Sequence, residues 1–268
     1  MERWREIVYR HYRAHKREMP WRQTRDPYHI LVSEIMLQQT QVERVLGKYG
    51  LFLRHFPDFP TLARAPWAEV LALWQGLGYN RRALALKRLA QEVVTEWRGR
   101  LPDRDEDLRA LPGIGPATAG ALLAFAFERP VVFIETNIRR VFLHFFFAQQ
   151  NGIKDRDILP LVAATLDRER VREWYYALMD YGAALKKLGP NPNRRSAHYA
   201  RQSPFSGSNR EVRSLILKTL LTAPADSLEE LARGIGQSRA RTGTALEQLL
   251  AEGFVVWEGK RLRLASRV

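Results

Sequence analysis

The sequence places one acid, Glu34, inside an apolar stretch that reads YHILVSEIMLQQTQV over residues 28–42. On a helix, Ile30, Leu31 and Leu37 lie on the same side as Glu34, because they are three or four residues away from it. Burial against apolar neighbours disfavours an ionised carboxylate and raises its pKa. A raised pKa suits a general acid that works near neutral pH. The alternative interpretation is structural: Glu34 caps a neighbouring helix or meets a basic side chain.

A second acid, Glu135, follows an apolar extended run in VVFIETNIRRV, residues 131–141. It stands just before a predicted helix, and a negative charge is favoured near a helix N-terminus. That position alone is enough to explain Glu135 structurally. The alternative is that the two acids act as a pair, as in glycoside hydrolysis. One would then protonate a leaving base, and the other would stabilise the positive charge that develops on the sugar.

A glycine-rich turn, LPGIGPATAG at residues 111–120, separates two helical patterns. Gly113 and Gly115 permit a backbone turn that other residues resist, and Pro116 suits the first turn of the next helix. The N-terminus of that helix presents free N–H groups and the positive end of the helix dipole, where a phosphate can dock. The pattern predicts a helix–hairpin–helix that grips a DNA backbone without reading bases. A simple helix–helix turn is the alternative.

The chain is strongly basic, with 43 lysines and arginines against 29 acids in 268 residues and a formal net charge of +14. This excess favours a polyanionic partner, most commonly nucleic acid, although a generic basic surface is also compatible with it. There is no cysteine, so disulfides, zinc thiolate sites and iron–sulfur clusters are excluded. The six histidines are scattered without ligand spacing, and we assign no metal site.

Neither a signal peptide nor a membrane span is expected. The first residues, MERWREIVYRHYRAHKREMPW, are charged throughout and lack an apolar core. No apolar run reaches the roughly 18 residues that a membrane helix needs. We therefore expect a soluble cytoplasmic protein.

Most of the chain has helical periodicity, and the positions of both acids depend on these helices. The predicted helices cover 2–17, a segment from Tyr28, 42–55, 61–65, 67–75, 80–98, a short segment before the glycine turn, an apolar segment after it, a segment following Glu135, 155–167 and 169–187. The aromatic run FLHFFF at 142–147 is interpreted as core rather than as a platform for stacking bases.

A change in composition divides the chain near its C-terminal end. Residues 188–209, LGPNPNRRSAHYARQSPFSGSN, are rich in proline, glycine, serine and asparagine, and form a basic linker or a long ordered wrap. Residues 210–268 then show three helical patterns and a two-strand hairpin that turns at Glu258-Gly259-Lys260. Three helices followed by a hairpin predict a winged-helix-like α/β domain.

Taken together, these motifs resemble the helix–hairpin–helix (HhH-GPD) DNA glycosylase superfamily. MutY-type adenine glycosylases are the nearest members, and endonuclease III is a cousin. The resemblance covers residues 4 to 187 and rests on four segments: PWRQTRDPYHILVSEIMLQQTQV, LWQGLGYNRRALAL, LPGIGPATAGALLAFAF and ALMDYGA. It implies a mainly α fold with two helical subdomains in a core of residues 1–187. One subdomain would combine 1–22 with about 130–187, and 23–129 would lie between them.

The resemblance also implies roles for single residues. Glu34 matches the general acid/base that protonates the base and activates water, and Glu135 takes the place of the second catalytic acid. The base pocket would be lined by Trp21, Arg22, Leu37 and Tyr176. The DNA contacts would come from Gln38, Gln39, Tyr79, Leu111, Gly113, Ile114, Gly115 and Asn137, together with Arg194 and Arg195 in the linker. In this family the hairpin often carries a monovalent cation on backbone carbonyls, here those of Leu111 and Ile114.

The sequence departs from the family pattern at several of these positions. The second acid of the family is an aspartate, and a displacement of ~1 Å from the extra methylene of Glu135 can cost ~100-fold in rate. The catalytic lysine of endonuclease III is replaced by Ala117, so no Schiff base can form there. Tyr176 stands where a glutamine or glutamate is usual, and Asn80 is closer to endonuclease III than to MutY.

Two larger elements of the family are replaced in this chain. The cysteine loop that holds an iron–sulfur cluster would begin after residue 187, where Pro, Asn and Arg stand instead. The winged-helix-like segment takes the place of the usual C-terminal domain, and its basic side chains form a candidate second DNA contact. They are Arg239, Arg241, Lys260, Arg261 and Arg263. We therefore expect no iron–sulfur cluster and no other cofactor.

The resemblance leads us to expect a monofunctional DNA glycosylase that acts as a monomer on duplex DNA with a lesion or mismatch. It would remove a flipped-out base during base excision repair, with adenine opposite 8-oxoguanine as the first choice. Excision of mispaired thymine or uracil, or of another lesion, is the alternative substrate class. The alternative from another functional class is a non-catalytic DNA-binding protein on a glycosylase scaffold. We would then expect the protein to lie in the cytoplasm, associated with the nucleoid.

Overall fold

The computed structural model describes residues 2–266, and over this range the chain is mainly α-helical, as predicted. The helices, in chain order, are α1 (Glu2–His15), α2 (Pro27–Leu37), α3 (Val42–His55), α4 (Phe59–Arg64), α5 (Trp67–Trp74), α6 (Arg81–Glu96), α7 (Asp105–Ala110), α8 (Pro116–Phe125), α9 (Thr136–Phe146), α10 (Asp155–Thr165), α11 (Val171–Leu188), α12 (Asn209–Thr222), α13 (Leu228–Gly234) and α14 (Arg239–Ala251). Short 3-10 turns lie at Pro20–Arg22 and Pro192–Arg195.

The helix boundaries follow the predicted ones with small shifts, and capping explains one of them. The helix predicted over 61–65 begins at Phe59, because the Asp58 carboxylate accepts a hydrogen bond of 2.8 Å from the Thr61 backbone N–H. The helix predicted over 2–17 ends earlier, at His15. None of the helices within residues 2–266 has the length and apolar character required to cross a membrane.

The chain divides into two compact units, each built from two separated stretches. The first unit contains the chain up to Glu34 together with Pro102–Arg201, and the second contains Ile35–Leu101 and the chain from Gln202 onward. These boundaries differ from the predicted divisions at 22/23, 129/130 and 209/210.

Packing partners distant in sequence explain the difference. In the first unit, the Phe125 ring at the end of α8 stacks on Tyr176 of α11, with ring centroids 4.4 Å apart. In the second unit, the Trp67 ring of α5 packs edge-on against Phe254, just before the hairpin, at 5.5 Å. Glu252 accepts bidentate hydrogen bonds from both Arg81 and Arg213. Contacts of this kind join segments that no local pattern connects.

The C-terminal segment has the predicted three helices and hairpin. Strands β1 (Val255–Glu258) and β2 (Arg261–Leu264) pair antiparallel, with Val255 opposite Leu264 and Glu258 opposite Arg261. The turn therefore consists of Gly259 and Lys260, and Gly259 adopts a φ of 61° that favours glycine. Four of the five basic residues proposed to contact DNA already bond to neighbours in this segment: Arg239 to Glu229, Arg241 to Gln237 and Gly207, Arg261 to Asp226, and Arg263 to Glu258.

The core of the first unit is aromatic and lies where α1, α9 and α11 meet. The Trp4 ring of α1 lies between 5.3 and 5.9 Å from the rings of Phe142, Phe145, Phe146 and Trp174. Phe142 and Trp174 are fully buried. This packing confirms that the FLHFFF run supplies core side chains.

A buried lysine holds two helices of the second unit together. Lys87 of α6 is 4% exposed, and its ammonium donates to the carbonyl oxygens of Ala63 (3.0 Å) and Ala65 (2.6 Å) at the C-terminal end of α4. Burial lowers the pKa of Lys87. A cation is favoured at this end of a helix, where backbone carbonyls have no partner in the helix itself.

Replacing Lys87 with methionine should therefore destabilise the protein by about 2 kcal/mol, because the side-chain volume is retained but the carbonyls lose their donor. Thermal unfolding measures this loss. Lys218→Met is the matched control at an exposed position of α12, where a change within about 0.5 kcal/mol is expected. Equal unfolding temperatures for the two variants would contradict the capping role.

Candidate active site

Helix α2 is apolar almost all round and carries Glu34 in its second half. Ile30 and Leu31, predicted to lie on the same face, are buried, and so are Val32 and Ile35. Glu34 itself is partly accessible to solvent. Within the described residues its carboxylate forms no hydrogen bond or ion pair, so no donor stabilises its ionised form. Desolvation by the surrounding protein is the largest influence on its charge.

The pKa of Glu34 is raised to about 7. Burial is the main cause, repulsion from the Glu135 carboxylate adds to it, and attraction to the Arg22 guanidinium opposes it. Glu34 and Glu135 are thus close enough to interact electrostatically. A carboxyl group with this pKa carries a proton in a substantial fraction of molecules at neutral pH, as a general acid requires.

Glu135 caps helix α9 and is held much more firmly than Glu34. Its Oε1 accepts hydrogen bonds of 2.7 Å from the backbone N–H groups of Asn137 and Ile138, and its Oε2 accepts one of 3.2 Å from the Asn137 amide. Burial raises the pKa of Glu135 above its usual value, and the backbone hydrogen bonds together with Arg140 and Arg139 offset only part of this rise. Donors of this kind favour the ionised form. The two acids therefore have different environments: hydrogen-bond donors surround the carboxylate of Glu135, and none in the described part of the chain reaches that of Glu34.

A chain of side chains continues from Glu135 to the segment after α11. The Asn137 Oδ1 accepts a hydrogen bond of 2.7 Å from Arg140, which is 4% exposed. Arg140 also donates to the Gly182 carbonyl (2.7 Å) and to Asn191 Oδ1 (3.0 Å). Helices α9 and α11 approach so closely that a Cβ atom on Gly182 would lie 2.4 Å from the Asn137 carbonyl oxygen. This network fixes the backbone from which Glu135 projects.

The segment that stands in place of the family's iron–sulfur loop is an ordered wrap over α9. Besides the Asn191 contact, Asn193 donates to the Thr136 carbonyl oxygen at 3.0 Å. Residues near Ser196 pair with Ile153 through two backbone hydrogen bonds, of 3.0 and 2.9 Å. Arg194 is exposed, while Arg195 is half-buried and points one nitrogen at the Leu143 carbonyl at 3.5 Å. Asparagine side chains thus hold this segment against α9. The segment contains no cysteine.

Asn191 is expected to influence the chemistry through Arg140. Asn191→Ala leaves the buried guanidinium short of an acceptor, so Asn137 and Glu135 should lose some of their alignment. We expect base release to slow by about tenfold, less than the ~100-fold that a 1 Å displacement can cause. Single-turnover rates with duplex binding measured in parallel test this, and the exposed Asn151→Ala variant is the control. A rate equal to that of the control would remove Asn191 from the network.

Arg22 lies beside the acids and is held by an ion pair that the sequence analysis did not assign. Its guanidinium makes two hydrogen bonds of 2.8 Å to the carboxylate of Asp180, to which Arg17 also donates. Asp180 is 3% exposed. Burial alone would raise the pKa of Asp180, but the hydrogen bonds from Arg22 and Arg17 outweigh it and keep that pKa low. Asp180 is an acid inside an apolar stretch, YYALMDYGAAL, and the reasoning applied to Glu34 would have singled it out.

Aromatic side chains form the wall next to Arg22. The Arg22 guanidinium lies 4.4 Å from the centroid of the Tyr176 ring, and Trp21 is buried in the preceding turn. Burial raises the pKa of Tyr176 to about 12, with Glu34 adding to the effect and Arg172 opposing it. Arg172 also donates to the carbonyl oxygens of Arg22 and Thr24. The first unit thus brings Glu34, Glu135, Arg22 and Tyr176 together.

The glycine hairpin has the predicted form. Helix α7 ends at Ala110, Gly113 adopts a φ of 81°, and Gly115 precedes the first turn of α8. Leu111 and Ile114 are buried, whereas Gly113 and Gly115 are exposed. The Leu111 carbonyl accepts a hydrogen bond of 3.2 Å from the Ile114 N–H. Residues 2–266 contain no cluster of three or more acidic, histidine or cysteine side chains that could hold a metal ion, and the monovalent cation stays a prediction.

The remaining predicted residues lie in the second unit. Leu37 is the half-buried last residue of α2, Gln38 is half-buried and Gln39 is exposed. Tyr79 follows the GLG turn and is half-buried. The residue that organises this region was missed: Arg82 donates to carbonyl oxygens of Ile35, Met36, Gln38, Leu77 and Gly78 and to the Thr40 hydroxyl.

Comparison with known proteins supports these assignments at the level of the family. Residues 32–159 match the model of the HhH-GPD superfamily of base excision DNA repair proteins. The adenine DNA glycosylase of Mycobacterium tuberculosis is 33% identical over 265 residues, which cover 91% of this chain and 87% of that protein. The adenine DNA glycosylase of Buchnera aphidicola is 34% identical over 174 residues, and the match covers 63% of this chain and 49% of that longer protein.

The fold of a solved DNA glycosylase agrees with this family assignment. A thermostable thymine-DNA glycosylase superimposes with a TM-score of 0.63 at 28% sequence identity, covering 68% of this chain and 85% of that one. The described residues therefore have the predicted helical glycosylase fold, and the chain belongs to the HhH-GPD superfamily of base excision DNA repair proteins.

Proposed function

We propose that this protein is a monofunctional DNA glycosylase of base excision repair that removes a flipped-out adenine from mispaired duplex DNA. The observation that carries the proposal is the pairing of Glu34, with a pKa near 7, and a firmly bonded Glu135 in one apolar wall. Relatives named adenine DNA glycosylases support the choice of base. The enzyme would act as a monomer, in the cytoplasm, on nucleoid DNA.

The two acids divide the chemistry of hydrolysis. Protonated Glu34 gives its proton to a ring nitrogen of the base, so that the base leaves as a neutral molecule when the bond from C1′ to nitrogen breaks. The Glu135 carboxylate stabilises the positive charge on the deoxyribose. Water then adds its oxygen to C1′ and passes a proton to the Glu34 carboxylate, which restores the acid. The products are the free base and an abasic site.

The side chains that line the pocket have different roles in this proposal. Tyr176 and Trp21 belong to the wall against which a base taken out of the stack would lie. For Leu37, a place in the base pocket stays a prediction from the resemblance. Arg22, fixed by Asp180, keeps a positive charge near Glu34 and prevents its pKa from rising further.

The DNA backbone would be held by the glycine hairpin and the N-terminus of α8. The exposed Gly113 and Gly115 let the chain approach a phosphate closely, and the positive end of the α8 dipole, next to Gly115, favours its charge. Gln38, Gln39, Tyr79, Asn137 and Arg194 are further candidate contacts. Ala117 lies in the first turn of α8, where it cannot form a Schiff base. We therefore expect no strong β-lyase activity.

Thymine is the second candidate base. The thymine-DNA glycosylase with a TM-score of 0.63 favours it, as do Tyr176 and Asn80, which depart from the adenine glycosylase pattern.

A panel of duplexes tests the proposal and separates the two bases. Each duplex carries one mismatch or lesion, including adenine opposite 8-oxoguanine, adenine opposite guanine, and thymine or uracil opposite guanine. After incubation, alkali cleaves any abasic site, and parallel samples without alkali report lyase activity. Alkali-dependent cleavage of the adenine strands alone is the expected result. Cleavage of the thymine strand would establish the second candidate, and no cleavage of any duplex would contradict the catalytic proposal.

A further inference from the structure

The guanidinium of Arg82 bonds to two loops of the second unit that carry candidate DNA contacts. The first loop, residues 38–40, follows α2, and the second loop, residues 77–79, completes the GLG turn. Nη1 of Arg82 donates to the carbonyl oxygen of Gln38 at 2.5 Å, and Nη2 donates to that of Gly78 at 2.9 Å. One planar group therefore sets the distance between the two loops.

A threonine hydroxyl adds a direct link between these loops. Thr40 Oγ1 accepts a hydrogen bond of 2.9 Å from Nη2 of Arg82 and donates one of 3.1 Å to the carbonyl oxygen of Leu77. Nη2 also donates to the Leu77 carbonyl oxygen, at 3.1 Å. The guanidinium, the hydroxyl and this carbonyl thus form a closed triangle of hydrogen bonds, so a displacement of one loop is passed on to the other.

The carbonyls of Gln38 and Gly78 belong to the peptide groups that precede two left-handed residues. Gln39 has a φ of 53°, and Tyr79 has a φ of 48°. Such conformations are unfavourable for residues other than glycine and persist only where the surroundings hold them. A carbonyl fixed by Arg82 prevents the peptide group from rotating to relieve this strain. The hydrogen bonds of Arg82 therefore set the direction in which the side chains of Gln39 and Tyr79 leave the backbone.

The charge of Arg82 has no acid beside it. Within residues 2–266 it forms no ion pair, and burial lowers its pKa to about 10. Its Nε atom is also buried without a hydrogen-bond partner. A desolvated guanidinium without a counter-ion is costly to keep in a folded protein. This arrangement suits the joint fixation of two loops better than the neutralisation of an acid.

We propose that Arg82 is a positioning residue for the opening of DNA, which holds Gln39 and Tyr79 at a fixed separation so that they enter the duplex together. The inference rests on the proposed function, in which both side chains contact DNA. A shift of either loop by about 1 Å should slow base release by ~100-fold. Binding to a fully paired duplex should be retained, because it depends on contacts with the backbone phosphates.

A comparison of Arg82→Met with Lys87→Met tests the inference. Lys87 lies in the same helix and is also buried, but it bonds to the end of α4 and to neither loop. A duplex with 2-aminopurine at the target position, an adenine analogue that fluoresces when unstacked, reports DNA opening at saturating protein. Arg82→Met should reduce this fluorescence and slow adenine release by about 100-fold, whereas Lys87→Met should match the wild-type protein. Circular dichroism at the assay temperature confirms that both variants are folded.

The pair Thr40→Val and Thr40→Ser tests the link between the loops while Arg82 stays in place. Valine lacks the hydroxyl and should slow release by about tenfold, the size of one lost hydrogen bond, and serine should restore most of the rate. Equal release by the two threonine variants, or equal opening and release by Arg82→Met and Lys87→Met, would overturn the inference. The threonine pair decides if Arg82→Met does not fold.

The same measurements separate this inference from the proposed function. Adenine release by the wild-type protein, with opening and release unchanged in Arg82→Met, overturns the role of Arg82 alone. Opening that depends on Arg82, without release of any base by the wild-type protein, overturns the proposed function alone.

Discussion

Replacing Glu34 with glutamine is expected to slow base release by about 10²–10⁴-fold while duplex binding is retained. Glutamine keeps the size and polarity of the side chain but has no proton to give to a leaving base, and general acid catalysis contributes a factor of this order. Single-turnover assays on the preferred duplex measure the rate, and fluorescence anisotropy measures binding. Glu43→Gln, an exposed acid in the first turn of α3, is the control. Release by Glu34→Gln at the wild-type rate would contradict the role of Glu34 as the proton donor, whereas no release by either protein would support the DNA-binding protein without catalysis.

The pH dependence of the wild-type rate tests the same residue. Because the pKa of Glu34 is about 7, the protonated acid is lost above neutral pH. The rate should fall by about tenfold for each pH unit once that pKa is passed. The Asn191→Ala variant, which leaves Glu34 in place, should keep the position of this fall. A rate that stays level to pH 9 would contradict Glu34 as the proton donor.

The stability of the protein should also depend on Glu34, and Glu34→Gln should change it in the opposite direction from the rate. The pKa of Glu34 in the folded protein is higher than in the unfolded chain, so the folded state binds more protons between about pH 4.5 and 7. The stability is therefore full below pH 4.5 and decreases as the pH rises through 7. Glu34→Gln removes this loss and should stabilise the protein at pH 8 by on the order of 2–3 kcal/mol. An acid kept for catalysis would thus reduce stability at the pH where it acts.

Arg82→Met is the second change with a large expected effect, a loss of about 3 kcal/mol in the free energy of unfolding. The variant keeps much of the apolar stem but leaves the carbonyls of Ile35, Met36 and Gln38, along with those of Leu77 and Gly78, without their donor. For a chain of this size the unfolding temperature should fall by roughly 6–12 °C.

Two further variants test whether the loss of stability is specific to the Arg82 guanidinium. Arg82→Lys keeps the positive charge but cannot reproduce the planar fork that reaches two groups of acceptors, so an intermediate loss is expected. Arg88→Met removes an exposed arginine from the same helix and should change stability by no more than about 0.5 kcal/mol. If Arg82→Met and Arg88→Met unfold at the same temperature, Arg82 does not organise this region.

Local patterns in the sequence predicted most of the helices and the principal acid. Glu34 was recognisable because its apolar neighbours recur at helical spacing, and α3 begins and ends where its periodicity predicted. Gly113 and Pro116 marked the hairpin because their backbone preferences are intrinsic. Each of these features depends on residues within a few positions along the chain.

The features that were missed depend on partners far away in the sequence. Asp180 matters because Arg22 lies against it, 158 residues earlier. Arg82 looked like one of many basic residues until its acceptors were known, of which four are more than 40 residues away. Arg210 likewise donates a hydrogen bond to the hydroxyl of Tyr79, 131 residues earlier. The boundary at 101/102 escaped detection because α8 has a uniformly apolar pattern, and long-range packing such as the stacking of Phe125 on Tyr176 assigns it to the first unit.

The division into two discontinuous units has a consequence for how the protein is made. During translation, the N-terminal stretch that carries Glu34 must wait for residues 102–201 before its unit is complete. The second unit waits longer still, since Trp67 and Arg81 meet Phe254 and Glu252 only when almost the whole chain has left the ribosome. Apolar helices such as α2 and α5 therefore remain without their final partners during most of synthesis. Such a chain is exposed to aggregation as it emerges, and its yield of folded enzyme should depend on chaperones that bind nascent apolar helices.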